Sequence, residues 1–254
     1  MKGIILSGGE GTRMRPLTRV TSKQLLPIYN KPMIFYPLGK LIDAGIKEIL
    51  IIVAPDHCGD YMKLLGSGRE FGVTFTYEIQ DKPEGLAHPF LLGENFLDDG
   101  DNVTMILGDN IFEDDISEGI TNFAGGAKIY IKEVPDHERS RLGIVELGEN
   151  NKVLSIEEKP QQPKSSFAQT GIYIYDNQVV GAVKEQKPSA RGELEITDLN
   201  NWYLAKGQLT AEILQGEWID AGTFESYHKA NDLAFRRAQA GRELGVKDMK
   251  NGNK

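Results

Sequence analysis

The apolar run Gly3-Ile4-Ile5-Leu6-Ser7 passes directly into Gly8-Gly9-Glu10-Gly11-Thr12-Arg13. A short run rich in isoleucine and leucine, closed at once by glycines, has the length of a buried strand rather than of a helix. A chain that leaves a sheet through Gly8, Gly9 and Gly11 has few Cβ atoms around its backbone N–H groups. Such a loop can approach a phosphate closely and offer it several donors. The alternative is a tight strand-to-helix turn that needs only a positive φ. Arg13, Arg15 and Lys23 follow closely and favour the phosphate reading. The loop is not a Walker A loop, because no Gly-Lys-Ser/Thr ending is present, and Thr12, Arg13 and Met14 stand where a dinucleotide fingerprint has its third glycine.

Alternation of strand and helix continues through the first half. Residues 33–44 place Ile34, Leu38, Leu41 and Ile42 at helical spacing, and Gly45 follows as a C-terminal glycine should. Residues 48–54 predict a second buried strand, 73–77 a third and 103–107 a fourth, with a helix over 86–97 that has Pro89 in its first turn. This order predicts an α/β fold: a doubly wound, mostly parallel, Rossmann-like sheet. Ligands of such sheets bind beyond the carboxyl ends of the strands, where residues 8–13 and Asp109 both fall. The second half reads differently. Residues 127–134, 143–147, 152–157 and 171–175 are strand-like, 177–184 and 195–205 helical, and 209–214 and 217–220 short strands. A helix over 223–240, with Thr223 as N-cap, precedes a polar tail over 249–254. A single domain over 1–254 with a β-rich subregion accounts for this pattern.

The net charge of −8 opposes a broad surface for nucleic acid or anionic membrane but allows a small basic pocket. No apolar run has the length of a bilayer span, no leader pattern is visible, and the single cysteine, Cys58, suits a reducing compartment. A soluble cytoplasmic protein is expected. Asp109 follows Gly108 at a strand end, and Asp220 has a similar setting in Trp218-Ile219-Asp220-Ala221-Gly222-Thr223. Two such aspartates suit Mg²⁺, which takes one or two carboxylates plus phosphate oxygens, although each could simply cap its own turn. Glu113-Asp114-Asp115 reads as a solvated helix start. Glu157-Glu158-Lys159-Pro160 could bind a phosphate through Lys159 and sugar hydroxyls through its carboxylates, or be a surface turn. Arg191-Gly192-Glu193-Leu194-Glu195 could be an exposed helix start. His57, His88, His137 and His228 show no metal-ligand spacing, no serine-hydrolase elbow is present, and Trp202-Tyr203 reads as core.

Residues 8–18, Lys23-Gln24-Leu25-Leu26-Pro27, Gly108-Asp109-Asn110, Glu157-Glu158-Lys159-Pro160, Arg191-Gly192-Glu193-Leu194-Glu195-Ile196-Thr197-Asp198 and 218–223 occur together in that order. Over residues 1 to about 235 the chain resembles the sugar-1-phosphate nucleotidyltransferases, most closely those that transfer thymidylyl groups. The resemblance implies that glucose 1-phosphate attacks the α-phosphorus of dTTP in line and displaces pyrophosphate. It implies catalytic roles for Arg13 and Lys159, and nucleotide contacts from Gly8, Gly9, Gly11, Thr12, Arg13, Lys23, Gln24, Gln80, Gly85 and Asp109. Gly143, Glu158, Lys159, Thr170 and Arg191 would bind the sugar phosphate, and Asp109 and Asp220 would hold Mg²⁺. Residues 1–125 would then serve mainly the nucleotide and 126–222 mainly the sugar. The family is commonly homo-oligomeric, with no nucleic-acid or membrane partner. His88 stands where the family usually has glutamine. The end of the chain soon after 223–240 resembles the shorter members and predicts no C-terminal regulatory nucleotide site. Other readings are a UTP-using relative and a catalytically weak sugar-nucleotide sensor.

Overall fold

The computed structural model describes residues 1–246, so the expected polar tail over 249–254 lies outside the described residues. Two compact units are present. The first comprises Met1–Pro83, Met105–Asn122 and the chain from Gly216; the second comprises Glu84–Thr104 and Phe123–Gln215.

In the first unit the end of strand Val103–Leu107 lies beside Lys2–Ser7, followed by Glu48–Val53 and Thr74–Ile79. The last three pair in parallel, with Ile5 opposite Ile51 and Ile51 opposite Tyr77. Ile4, Ile5, Ile49, Ile51, Ile52 and Val53 are all fully buried. A parallel strand covered on both faces needs such a continuous apolar run, not an alternating one. Helix Phe35–Asp43 places Leu38 and Leu41 in the core, as their spacing predicts. A short antiparallel ribbon pairs Asn110–Phe112 with Trp218–Asp220. Helix Phe224–Gln239 follows it, and Ala230, Leu233 and Ala234 join Ile28, Met33, Ile111 and Ile219 in one buried cluster. Thr223 and Ser226 form a capping box: the Ser226 N–H donates to Thr223 Oγ1 at 3.2 Å, and the Thr223 N–H donates to Ser226 Oγ at 3.1 Å.

The acidic run differs from expectation. Only Asp115 serves a helix start, accepting from the Ser117 N–H at 2.9 Å. Glu113 accepts from the Glu217 N–H and pairs with Arg237, while Asp114 accepts from the Gly216 N–H. These carboxylates fix the entry to strand Trp218–Asp220 instead of facing solvent freely.

In the second unit, strand Phe167–Tyr175 pairs antiparallel with Ala127–Glu133 and, at its start, with Gly143–Leu147. Val153–Glu158 pairs with Gly143–Leu147, and Leu209–Ile213 runs parallel to Ala127–Glu133. The expected β-rich subregion is therefore present. Strand Phe167–Tyr175 begins earlier than predicted because Phe167 and Ala168 have strand partners on both sides. The helix expected over 86–97 contracts to Pro89–Leu92. Its predicted start is committed elsewhere: the Leu194 N–H donates to Glu84 O, and the Ala87 N–H donates to Leu194 O. Among the described residues no helix is long and apolar enough to cross a membrane.

Candidate active site

Strand Lys2–Ser7 delivers Gly8 into a space that admits no side chain: a Cβ there would lie 2.3 Å from Gln80 Oε1. Gln80 is buried at the end of Thr74–Ile79, so one loop residue and one neighbouring strand end are packed together. Thr12–Met14 forms a single 3₁₀ turn. Met14 is fully buried and Thr18 Oγ1 donates to Gly11 O at 2.8 Å, which anchors the turn from beneath. Gly9, Thr12 and Arg13 are left exposed. The loop therefore combines a rigid base with an open backbone and a presented guanidinium, the arrangement an anion needs.

Arg13 is not alone. A Cβ on Gly222 would lie 2.7 Å from Arg13 Nη2 and 2.9 Å from Asp220 Oδ1. Guanidinium and carboxylate thus converge on a glycine. Asp109 is carried to the same end of the ribbon. The Ala221 N–H donates to Asp109 O at 2.9 Å, and Asn110 faces Asp220 in register. The Lys23 ammonium pairs with Asp109 Oδ2, and Asn110 Nδ2 donates to Asp109 Oδ1 at 2.9 Å. Burial by itself would raise the Asp109 carboxyl. The Lys23 charge and the bonds from Lys23 and Asn110 outweigh burial and hold it below the ordinary carboxylate range.

Asp109, just before strand Asn110–Phe112, and Asp220, in the strand paired with it, are hard-oxygen donors of the kind Mg²⁺ takes, and Asp109 already pairs with the Lys23 ammonium. Among the described residues no group of three or more His, Cys, Asp or Glu could hold a metal. Phosphate oxygens would have to complete the shell.

The Gln24 side chain is buried. Its Oε1 accepts from Ser22 Oγ at 2.8 Å, and Ser22 Oγ lies 2.7 Å from the Tyr61 hydroxyl. Ser22, Gln24 and Tyr61 are all buried and form a polar footing under Lys23. Ser22 and Tyr61 carry no sequence signal of this role, since they meet only in three dimensions.

In the second unit Gly143 is the cross-strand partner of Glu158, and Lys159 and Arg191 both approach the Glu158 carboxylate. Lys159 has φ 48°, a left-handed conformation uncommon for a lysine, held by its N–H bond to Leu142 O at 3.0 Å. Its Nζ is 3.5 Å from Glu158 Oε1, and Arg191 Nη2 is 3.6 Å from the same oxygen. Arg191 is clamped by Glu195, with Nη2 2.8 Å from both carboxylate oxygens. Both cations stay largely exposed at their side chains, at 43% for Lys159 and 42% for Arg191. Two half-free cations on one half-buried carboxylate suit a phosphate beside a hydroxylated group. The segment 191–195 is therefore more than an exposed helix start, because Glu195 is buried and holds Arg191 in place. The Thr170 hydroxyl donates to Tyr130 O at 2.8 Å, and Gly143 lies against the Gln169 amide. Gly85 packs on the Leu194 backbone in this unit, while Gln80 belongs to the first. His88 lies 3.1 Å from Glu84, with Pro89 at the start of the short helix.

Sequence reasoning missed the residues behind Glu158. Tyr175, Asn200, Gln169 and Thr197 form a buried hydrogen-bonded series that ends on its carboxylate. The one available signal is the polar pair Gln169-Thr170 inside a strand whose other residues are apolar or aromatic.

The family model for nucleotidyl transferases matches residues 2–236. The glucose-1-phosphate thymidylyltransferase of Neisseria meningitidis serogroup A is 51% identical over 236 residues, covering 91% of this chain and 81% of the relative. That of Mycobacterium tuberculosis is 45% identical over 239 residues, covering 92% and 82%. A crystal structure from Bacillus anthracis, assigned to glucose-1-phosphate thymidylyltransferase and complexed with a sucrose, superposes with a TM-score of 0.88 at 49% identity and covers 99% of each chain. A UDP-glucose pyrophosphorylase complexed with UDP-glucose gives a TM-score of 0.81 at 25% identity, covering 93% of this chain and 98% of that one. These matches show that the chain belongs to the nucleotidyl transferase family and, within it, to the glucose-1-phosphate thymidylyltransferases.

Proposed function

We propose that this chain transfers a thymidylyl group from dTTP to glucose 1-phosphate, yielding dTDP-glucose and pyrophosphate. The observation that carries the reading is the meeting of Arg13 and Asp220 at Gly222, on the same ribbon end as Asp109. Such chemistry needs positioning and charge stabilisation more than covalent help. A phosphate oxygen of the sugar phosphate forms a bond to the α-phosphorus, and the bond to the pyrophosphate oxygen breaks. The open backbone at Gly9 and Gly11 donates to the triphosphate, with Gln80 and Gly85 on the base. Arg13 stabilises the charge that accumulates on the α-phosphate and the departing pyrophosphate. Lys159 and Arg191 hold the sugar phosphate, and Glu158 accepts hydrogen bonds from sugar hydroxyls. Asp109 and Asp220 would hold Mg²⁺, which when bound supplies charge neutralisation on phosphate oxygens. Lys23 answers the Asp109 charge and contacts phosphate. We further place the enzyme in the cytoplasm as a homo-oligomer, which light scattering of purified protein tests.

A matrix of dTTP and UTP against several sugar 1-phosphates, read by pyrophosphate release, tests the reaction. The pair dTTP and glucose 1-phosphate should give the highest kcat/KM. Thymine and uracil differ by one methyl group, worth about 1–3 kcal/mol in a pocket, so UTP should fall roughly 10- to 200-fold lower. No pyrophosphate from any pair would overturn the reading. Equal use of UTP would overturn the base assignment alone.

A further inference from the structure

We infer that Gln169, braced by Asn200 and Tyr175 and acting through Thr197, is a positioning residue that fixes the Glu158 carboxylate and so sets recognition of the sugar's hydroxyls. The inference rests on the reading that Glu158 binds the sugar.

The four residues are buried: Tyr175 and Asn200 fully, Thr197 to within 1% and Gln169 to within 5%. The Tyr175 hydroxyl donates to Asn200 Oδ1 at 2.5 Å, and Asn200 Nδ2 donates to Gln169 Oε1 at 2.8 Å. Gln169 Nε2 donates to Thr197 Oγ1 at 2.5 Å, and Thr197 Oγ1 donates to Glu158 Oε2 at 2.6 Å. Every bond points the same way, and the chemistry of the last acceptor dictates it. Thr197 gives its one hydroxyl proton to Glu158 and therefore accepts from Gln169. That requirement turns the Gln169 amide nitrogen toward Thr197 and its oxygen toward Asn200. It also makes Tyr175 the outermost donor. Bonds aligned head to tail in a low-dielectric interior polarise one another.

The surrounding scaffold is shaped for this series. Gln169 and Tyr175 both belong to strand Phe167–Tyr175, whose register with Ala127–Glu133 shifts between Gln169 and Tyr173. Thr197 and Asn200 are spaced i, i+3 on helix Ile196–Ala205, which places them on one face. A Cβ at Gly143 would lie 2.1 Å from Gln169 Nε2, so the absence of a side chain there makes room for the amide. A buried amide is costly unless bonded. Here both ends are bonded, and the series terminates on a side chain that is 26% exposed and shared with Lys159 and Arg191. A ladder that served packing alone would have no need to end at the one carboxylate between those two cations.

Gln169→Met keeps the length and removes both amide bonds; Thr197→Val removes the relay hydroxyl, and Thr197→Ser retains it. Steady-state KM for each substrate is measured beside Glu158→Gln and the double variant Gln169→Met/Glu158→Gln. Glucose 1-phosphate affinity is also read by calorimetry with dTTP and no added metal, so that binding is measured whether or not turnover occurs. Gln169→Met and Thr197→Val should weaken glucose 1-phosphate about tenfold, with the KM for dTTP within about twofold and Thr197→Ser near wild type. The double variant should be no weaker than Glu158→Gln alone. A multiplicative loss in the double variant, or equal losses for both substrates, would overturn the positioning role. Unchanged sugar affinity in Glu158→Gln would instead remove Glu158 from the sugar site, and the inference with it. Loss in Glu158→Gln without loss in Gln169→Met and Thr197→Val would overturn the ladder alone.

Discussion

Lys23→Met should convert a well-matched pair into a buried, unanswered carboxylate. The side chains of Lys23 and Asp109 are 8% and 17% exposed, so neither charge is well solvated. Removing one partner of a buried pair costs about 3–5 kcal/mol. The lower end, ~3 kcal/mol, is expected because Asp109 retains its bond from Asn110 and can take up a proton. A chain of 254 residues has an unfolding entropy of about 0.5 kcal/mol per kelvin, so Tm should fall by about 6 °C at neutral pH. The pH dependence separates charge from packing. In the wild type Asp109 is held below the ordinary carboxylate range, so its contribution is present above about pH 4 and lost as pH falls through the lowered value. In the variant burial acts against no ammonium and the value rises. The folded state then binds the proton more tightly than the unfolded chain, and stability declines as pH climbs through the raised value. The difference in Tm between the two proteins should be small near pH 4 and widen to its full size by about pH 7. Differential scanning calorimetry from pH 4 to 8 measures it. A difference constant across that range would refute the electrostatic account. So would a Lys23→Met/Asp109→Asn variant no more stable at pH 7 than Lys23→Met, since removing the stranded charge should restore part of the loss.

Arg13→Ala should lower kcat on the order of 10²–10³, as loss of one charge-stabilising donor does, with Tm unchanged because Arg13 is exposed; turnover near wild type would remove it from the proposed role. Asp109→Asn and Asp220→Asn should each raise the Mg²⁺ concentration for half-maximal pyrophosphate release by about 10- to 100-fold, the cost seen even for groups that only support a metal. A titration unchanged in both would exclude the paired aspartates as the metal site. Thr223→Ala removes the hydroxyl of the capping box and should cost about 0.5–2 kcal/mol, or roughly 1–4 °C in Tm. A scan indistinguishable from wild type would show that helix Phe224–Gln239 is held by its packed face alone.

The parts of this protein legible in its sequence share a physical origin. Strands Lys2–Ser7 and Glu48–Val53 hold the uninterrupted apolar runs Ile4–Leu6 and Ile49–Val53, and Val103–Leu107 is broken only by the buried Thr104, patterns that no loop or solvated helix would carry. Helix Cys58–Leu65 carries no periodic signal because only Tyr61 and Leu65 are buried, and two positions set no period. The helix expected over 86–97 is shorter in the fold for the converse reason: leucines in the right places cannot reveal that Leu194 already bonds the backbone at Glu84 and Ala87. The site divides along the same line. Arg13, Asp109, Lys159 and Asp220 stand out because each is a charge close to the end of an apolar strand. What holds those charges is written nowhere locally. Lys23 meets Asp109 across 86 positions, and Thr197 meets Glu158 across 39. A bond between such distant residues adds no periodicity to the sequence around either. Charged residues such as Asp109 betray themselves by chemistry out of keeping with their neighbours, while Tyr61 and Asn200 are tied to the charged residues only by contacts that folding creates.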